Sequence, residues 1–391
     1  MKTNSGYYTV GHAIFSEKID AVLYATLNNE PVEWHFNNEI YSKVNWAVEP
    51  ELSLDQFYKI RAQQIRDAYD YVIIMCSGGG DSTNVVLSFL NNGIKVDEII
   101  ASAPLKGLSR WKDTNQDNGA GNTMSETLLA QLPLMSDIHS RFPEVKITIN
   151  DYFDTILNYQ TDDWIFKSGE WIHPSSSARY DLSQQTHIRQ LADKGKTIGI
   201  VYGIDKPILF FGPNNTIGTA ITDLAINVPR QPFDNRYPNV DNVLFYYTAD
   251  LPEMQVKQAH VLAKWILLPE NSFAKQNMAN SQKRDLSVEQ SRIKLSTYER
   301  AIIPCIYPST HRKIFQGHKP TRMFLGEHDD WFYKMHNDTR ALDLMVSDFR
   351  NFIKQIDKRY LNEARNGFKL YRQSYIIGKE SDFSPFVISQ S

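Results

Sequence analysis

Cysteine is nearly missing from this chain of 391 residues, which holds only Cys76 and Cys305. Two cysteines build neither a disulfide framework nor a zinc site of four thiolates. Long hydrophobic runs are missing too. The start, Met1-Lys2-Thr3-Asn4-Ser5-Gly6, lacks the apolar stretch of a secretory leader, and no run approaches the length of a membrane span. A soluble cytoplasmic protein with no membrane partner is the expectation. Nor does one sign of charge dominate, because 42 Lys and Arg stand against 45 Asp and Glu, a formal net charge of −3. That balance does not favour a protein that wraps nucleic acid, although a local basic groove is compatible with it. Two phosphate-binding strings, Gly-x-x-x-x-Gly-Lys-Ser/Thr and Gly-x-Gly-x-x-Gly, do not occur, and γ-phosphoryl transfer on a P-loop is therefore disfavoured.

What is present is apolar sequence enough for a sizeable core, 42% of residues, in a length that suits two or three domains. The strongest signal is six residues long. Ser77, Gly78, Gly79, Gly80, Asp81 and Ser82 follow directly on the apolar run Tyr71 to Cys76 and lead into the helical pattern Thr83 to Leu90. A buried strand that empties through glycines into a helix aims backbone N–H groups and a helix N-terminus at an anion. Residues without Cβ let amides approach phosphate oxygens closely and supply positive φ where the turn needs it. Ser77 and Ser82 add hydroxyl donors. Asp81 suits an anion site only if a cation lies between, so the string points to the pyrophosphate of ATP with Mg²⁺ bridging carboxylate and phosphates. A ligand-free glycine turn is the competing reading.

At these residues the chain resembles the PP-loop ATP pyrophosphatases, whose signature is Ser-Gly-Gly-x-Asp-Ser. The resemblance covers about residues 70 to 250, and only the phosphate loop is highly specific. It implies a parallel-sheet, HUP-like (adenine nucleotide alpha hydrolase) core. It also implies cleavage of ATP between the α and β phosphates, which adenylates a substrate oxygen and releases pyrophosphate before a nucleophile displaces AMP. Residues from about 41 to 81 also resemble uncharacterised PP-loop proteins of large tailed phages. Other branches are excluded by what they require: the pre-queuosine nitrile synthases need four cysteines, the tRNA thiolases Cys-x-x-Cys pairs, and the sulfonucleotide reductases a C-terminal Glu-Cys-Gly-x-His string. GMP and asparagine synthetases carry a glutaminase, and asparagine synthetase opens with Met and a nucleophilic Cys where this chain reads Met1-Lys2.

Along the chain, Ser16 to Asn29 reads as a helix capped by Ser16, and residues 30 to 52 as polar and broken. Ser53 caps a second helix in which Leu54, Tyr58, Ala62, Ile65 and Tyr69 recur at helical spacing. Beyond the phosphate loop come a strand (Val96 to Ala101), a helix (Thr123 to Phe142), a strand (Val145 to Ile149), two helices (Tyr152 to Tyr159, Ser183 to Lys194) and a strand (Thr197 to Tyr202). That alternation implies a parallel sheet with crossover helices. The expected division is an extension (1–60), an α/β nucleotide domain (61–250) and a mainly helical region (251–391), with helices at Met254 to Leu268, Leu286 to Arg300 and Thr339 to Leu361.

Ligands of open parallel sheets bind beyond the carboxyl ends of the strands. Two further strand ends therefore join the phosphate loop as candidates. Ala101, Ser102 and Ala103 leave room for a flat adenine, or are a plain strand end. Gly203, Ile204, Asp205 and Lys206 follow the last strand: Asp205 completes a Mg²⁺ site with Asp81 and Lys206 neutralises departing pyrophosphate, or the four form a turn with a capping Asp and a solvated Lys. Superfamily members carry a Gly-x-x-Asp string here, and this sequence is one residue shorter.

Weaker candidates are the loop 104–122 with Trp111 among Lys106, Arg110 and Lys112, either a lid or a surface loop, and the polar stretch Trp171 to Tyr180 with His173 and Arg179. Glu327, His328 and Asp329 are three adjacent residues that seldom converge on one metal. Asp250 with Glu253 reads as a capping pair, and His260 as a satisfied core histidine. The function expected is an ATP-dependent adenylating ligase with Asp81 and Lys206 as catalytic residues, ATP and Mg²⁺ bound, and an unidentified acceptor. Nucleobase or tRNA modification, sulfur transfer and a non-catalytic ATP-binding module are the alternatives.

Overall fold

The structure is a computed structural model. It describes residues 6–103, 105, 127–152, 182, 185–204, 207–223, 236–272, 274–276, 302, 305–308 and 371–383.

At its centre is a five-stranded parallel sheet. β4 (Tyr71–Met75), β5 (Glu98–Ala103), β6 (Lys146–Asp151), β7 (Ile198–Tyr202) and β10 (Val240–Leu244) lie in the order β10-β7-β4-β5-β6. β5 and β7 are buried along their whole lengths, as strands covered on both faces must be. The chain runs from β4 outward through β5 to β6, then crosses back to place β7 and β10 on the other side of β4. The order therefore reverses beside β4, and the crevice between the carboxyl ends of β4 and β7 is the topological switch point.

Helices flank this sheet. α3 (Leu54–Ala68) starts on a reciprocal cap: the Ser53 hydroxyl accepts from the Gln56 N–H, and the Gln56 side chain accepts from the Ser53 N–H. α4 (Gly80–Leu90) packs on α3 and β4. α5 (Leu132–Arg141) is preceded by a single π-helical turn, Thr127–Gln131, in place of the continuous helix expected from Thr123. Pro133, in the first turn of α5, has no N–H for the carbonyl four residues back, so the regular ladder is interrupted there. α6 (Thr186–Asp193) precedes β7, and α7 (Glu253–Ile266) packs against α3.

The end of β10 is tied to α3 by Arg61, whose side chain is almost wholly buried. Its guanidinium donates to the carbonyls of Leu244 (2.8 Å) and Phe245 (3.3 Å) and to Asp250 (3.2 Å). Asp250 is therefore the partner of Arg61 and of the Thr248 hydroxyl. It does not cap α7, whose N-cap position is Pro252, without a side-chain cap. Similarly, the N-cap position of α1 (Lys18–Asn28) is Glu17 rather than Ser16, again without a side-chain cap.

Two smaller sheets depart from the sequence expectation. Residues 30–52 contain β3 (Val32–His35), which pairs with β1 (Tyr7–Val10), and β1 pairs in turn with β2 (Ala13–Phe15). Trp34, Phe36, Tyr41 and Trp46 of this supposedly broken stretch are buried. β8 (Ile208–Phe211), β9 (Thr216–Thr222) and β11 (Arg372–Lys379) make the other sheet, in the order β11-β9-β8. The described part of the C-terminal region thus contributes a strand as well as α7 and the short α8 (Glu380–Phe383). The helices expected at 286–300 and 339–361 and the helix expected at 152–159 lie outside the described residues, apart from Tyr152. Among the described residues no helix is long and apolar enough to cross a membrane.

Candidate functional site

The loop after β4 is shaped by its own hydroxyls. Ser77 Oγ accepts from the Gly79 N–H (3.2 Å), while Ser82 Oγ accepts from the Ser77 N–H (3.2 Å) and donates to the Gly79 carbonyl (3.3 Å). Gly78 has φ +80°, and a Cβ there would come within 2.7 Å of the backbone of Gln131. Both conditions demand glycine. Gly79 is the N-cap of α4 and Gly80 its first residue, so the open amides of an 11-residue helix lie at the switch point.

A cavity of about 50 Å³ opens at the same place, with room for a few waters. Its wall combines Met75 at the end of β4 and Cys76 just after it, Ser77 and Ser82 from the loop, Ile100 and Ser102 from β5, and Tyr202, Gly203 and Ile204 from the end of β7. Gln131, last residue of the π turn, completes it. The Gln131 carboxamide is 2% exposed as a residue and spans two strand ends: Nε2 donates to the carbonyls of Cys76 (2.9 Å) and Ser102 (3.1 Å). Its Oε1 is buried with no hydrogen-bond partner.

Asp81 takes a different direction from the one expected. It is buried, it does not line the cavity, and Oδ1 accepts from the Tyr307 hydroxyl at 2.6 Å. The Asp81 carbonyl accepts from Tyr246 (2.9 Å), whose hydroxyl in turn accepts from Asn84 (3.0 Å). Tyr58 packs edge-on to Tyr246 and donates to the Ile306 carbonyl. Burial first, and then the nearby Asp81 charge, push Tyr307 well above the ordinary phenol range, so it stays a donor at any ordinary pH. A carboxylate is the donor type Mg²⁺ selects, yet Oδ1 is engaged by Tyr307. Asp205 and Lys206 lie outside the described residues, and among the described residues no three His, Cys, Asp or Glu side chains gather to hold a metal.

Of the other expected residues, Ser77, Ser82, Ser102 and Gly203 meet at the cavity. A Cβ on Gly203 would stand 2.9 Å from Val85 Cγ2 and 3.0 Å from the Asp81 backbone, so glycine here lets the end of β7 close on the first turn of α4. Ala101 is buried one residue before Ser102, on the opposite side of β5, and is not part of the wall. His260 is a core residue: its Nε2 pairs with the Trp46 carbonyl (2.9 Å), and the ring packs on Phe383. Burial pushes the Cys305 thiol up to about 12, and Cys76 is buried beside Ser82. Loop 104–122 apart from Leu105, the stretch 171–180 and Glu327, His328 and Asp329 lie outside the described residues.

Sequence reasoning placed Tyr202 at the converging end of the last strand, where the structure has it on the cavity wall, and missed Gln131 and Tyr307. Gln131 and Tyr307 belong to segments read as helix interior and irregular chain, where neither type draws notice. The π turn that presents Gln131 was foreshadowed only by Pro133.

Compared with known proteins, the chain matches no family model, and no curated protein matches it.

Proposed function

We propose that the protein is a cytoplasmic ATP pyrophosphatase of the PP-loop kind, with a HUP-like core. It adenylates a substrate oxygen and passes the activated group to a nitrogen nucleophile, as an amidoligase does. One observation carries this reading: the Ser77 to Ser82 string opens α4 at the switch point of a parallel sheet, where Ser77, Ser82 and Gly203 border one cavity.

The substrate oxygen attacks the α-phosphorus, the bond between that phosphorus and the bridging oxygen breaks, and pyrophosphate leaves with the electron pair. The nitrogen nucleophile then displaces AMP from the adenylate. The loop Ser77 to Ser82 holds the pyrophosphate, whose oxygens take the place of the loop's internal acceptors for the Gly79 N–H and the Ser82 hydroxyl, and Lys206 neutralises it as it departs. Asp81, once released from Tyr307, and Asp205 would hold Mg²⁺, which would neutralise phosphate charge. Sulfur transfer is disfavoured by burial that pushes the Cys305 thiol up to about 12 and by the lack of a second cysteine beside Cys76 among the described residues.

A second reading, a non-catalytic ATP-binding module, is favoured by the hydrogen bond that holds Asp81 to Tyr307. Release of AMP and pyrophosphate separates the two. Metabolite pools and nucleic acids are screened as acceptors in single-turnover assays of the wild-type chain, Asp81→Asn and Lys206→Met. Catalysis predicts AMP formation that Asp81→Asn abolishes and Lys206→Met slows more than it weakens ATP binding. Thermal stabilisation by ATP with no AMP from any pool assigns the chain to the module.

A further inference from the structure

Gln131 is held in one orientation. Its two amide hydrogens go to the carbonyls of Cys76 and Ser102, and a flipped carboxamide would turn Oε1 onto those same two oxygens. The amide oxygen is consequently a fixed acceptor, buried and unpartnered, on a residue of the cavity wall. An unpaired buried acceptor is destabilising, so a ligand that brings it a donor is favoured.

The same arrangement rules out phosphate at this spot, since anionic oxygens carry no proton to give. The group received is a neutral N–H or O–H. Met75, Ile100, Tyr202 and Ile204 supply apolar wall to the same cavity, which suits the edge of a planar heteroaromatic ring better than a hydroxyl-studded sugar.

We propose that Gln131 is a specificity-determining residue whose Oε1 accepts a hydrogen bond from the exocyclic 6-amino group of an adenine. The assignment rests on the nucleotide reading of this site and gives it a base preference. Gly78 connects the two halves: its missing Cβ lets the Gln131 backbone lie against the phosphate loop, so base and pyrophosphate are read by adjoining groups.

The test is equilibrium binding of ATP, inosine triphosphate, purine riboside triphosphate and 2′-deoxy-ATP to the full chain and to Gln131→Met. Inosine triphosphate puts an oxygen acceptor against Oε1, and the purine analogue removes the amino group without adding one. The wild-type chain is expected to bind both about tenfold or more weaker than ATP, and 2′-deoxy-ATP nearly as well as ATP. In Gln131→Met the preference over the purine analogue should collapse. Equal wild-type affinity for ATP and the purine analogue overturns the proposal, as does discrimination that falls on the deoxy sugar or that survives in a folded Gln131→Met. If Gln131→Met does not fold, the wild-type series alone decides. Failure of every nucleotide to bind overturns the nucleotide reading itself, an outcome distinct from binding without base preference.

Discussion

The Tyr307 hydroxyl donates to Oδ1 of Asp81 at 2.6 Å, joining the carboxylate of the glycine loop to a residue 226 positions further along the chain. Both groups are buried. The contact therefore links the C-terminal region to the first turn of α4, and its loss is felt at both ends.

Tyr307→Phe keeps the ring and deletes the donor. A buried charged acceptor left without this bond should cost about 1–3 kcal/mol of stability, read as a lower urea midpoint at unchanged slope. If Tyr307 restrains Asp81 from Mg²⁺, the variant should also need less Mg²⁺ for half-maximal ATP cleavage. Unchanged stability and unchanged Mg²⁺ dependence would show that the bond is not maintained in solution.

Gly78→Ala tests the loop. Left-handed φ costs an L-residue about 1–2 kcal/mol, and the added methyl meets main chain rather than a movable side chain. The expected result is a loss of roughly 2 kcal/mol or more with ATP binding abolished, by denaturation and calorimetry. Normal binding in this variant would place the phosphates elsewhere.

The legible parts of this fold are those with one dominant signal. The apolar run Tyr71 to Met75, the glycines after it and the Ser53 cap each dictate their element locally. β1, β3 and β8 are four residues long and carry too few positions for a period to show. β11 has only Ile377 buried, so alternation scarcely marks it. The site divides likewise: Ser77, Ser82, Ser102 and Gly203 follow from strand ends and loop chemistry. Gln131 and Tyr307 matter through contacts made across 55 and 226 positions, which no local pattern encodes.

Alkaline pH should weaken the protein. Burial foremost raises Tyr58, Tyr246 and Tyr307 above the ordinary phenol value of 10.0, so the unfolded chain releases these protons first. Their contribution is complete below about pH 10 and is lost as pH rises beyond it. Urea midpoints from pH 8 to 11 should be level and then fall, with a shallower fall in Tyr307→Phe. A midpoint that rises above pH 10 would contradict the sign.

Gly203→Ala addresses the crevice itself. The new methyl would press on Val85 Cγ2 at 2.9 Å and on the Asp81 backbone at 3.0 Å, and Val85 and Asp81 both belong to α4. Side-chain rotation relieves the first contact, but only a shift of the helix relieves the second. The amides of the first turn then move away from β7 by a few tenths of an ångström, and positioned donors lose effect steeply with such misplacement. Stability should fall by about 1–3 kcal/mol, the usual cost of overpacking. AMP formation should fall by about tenfold or more, a larger loss than that in ATP affinity, because the transition state depends on exact donor placement more than the ground state does. Single-turnover rates beside an ATP titration measure the two. Equal losses would mean that the end of β7 only holds the nucleotide, and full activity would mean that the cavity between β4 and β7 is not where phosphate is cleaved.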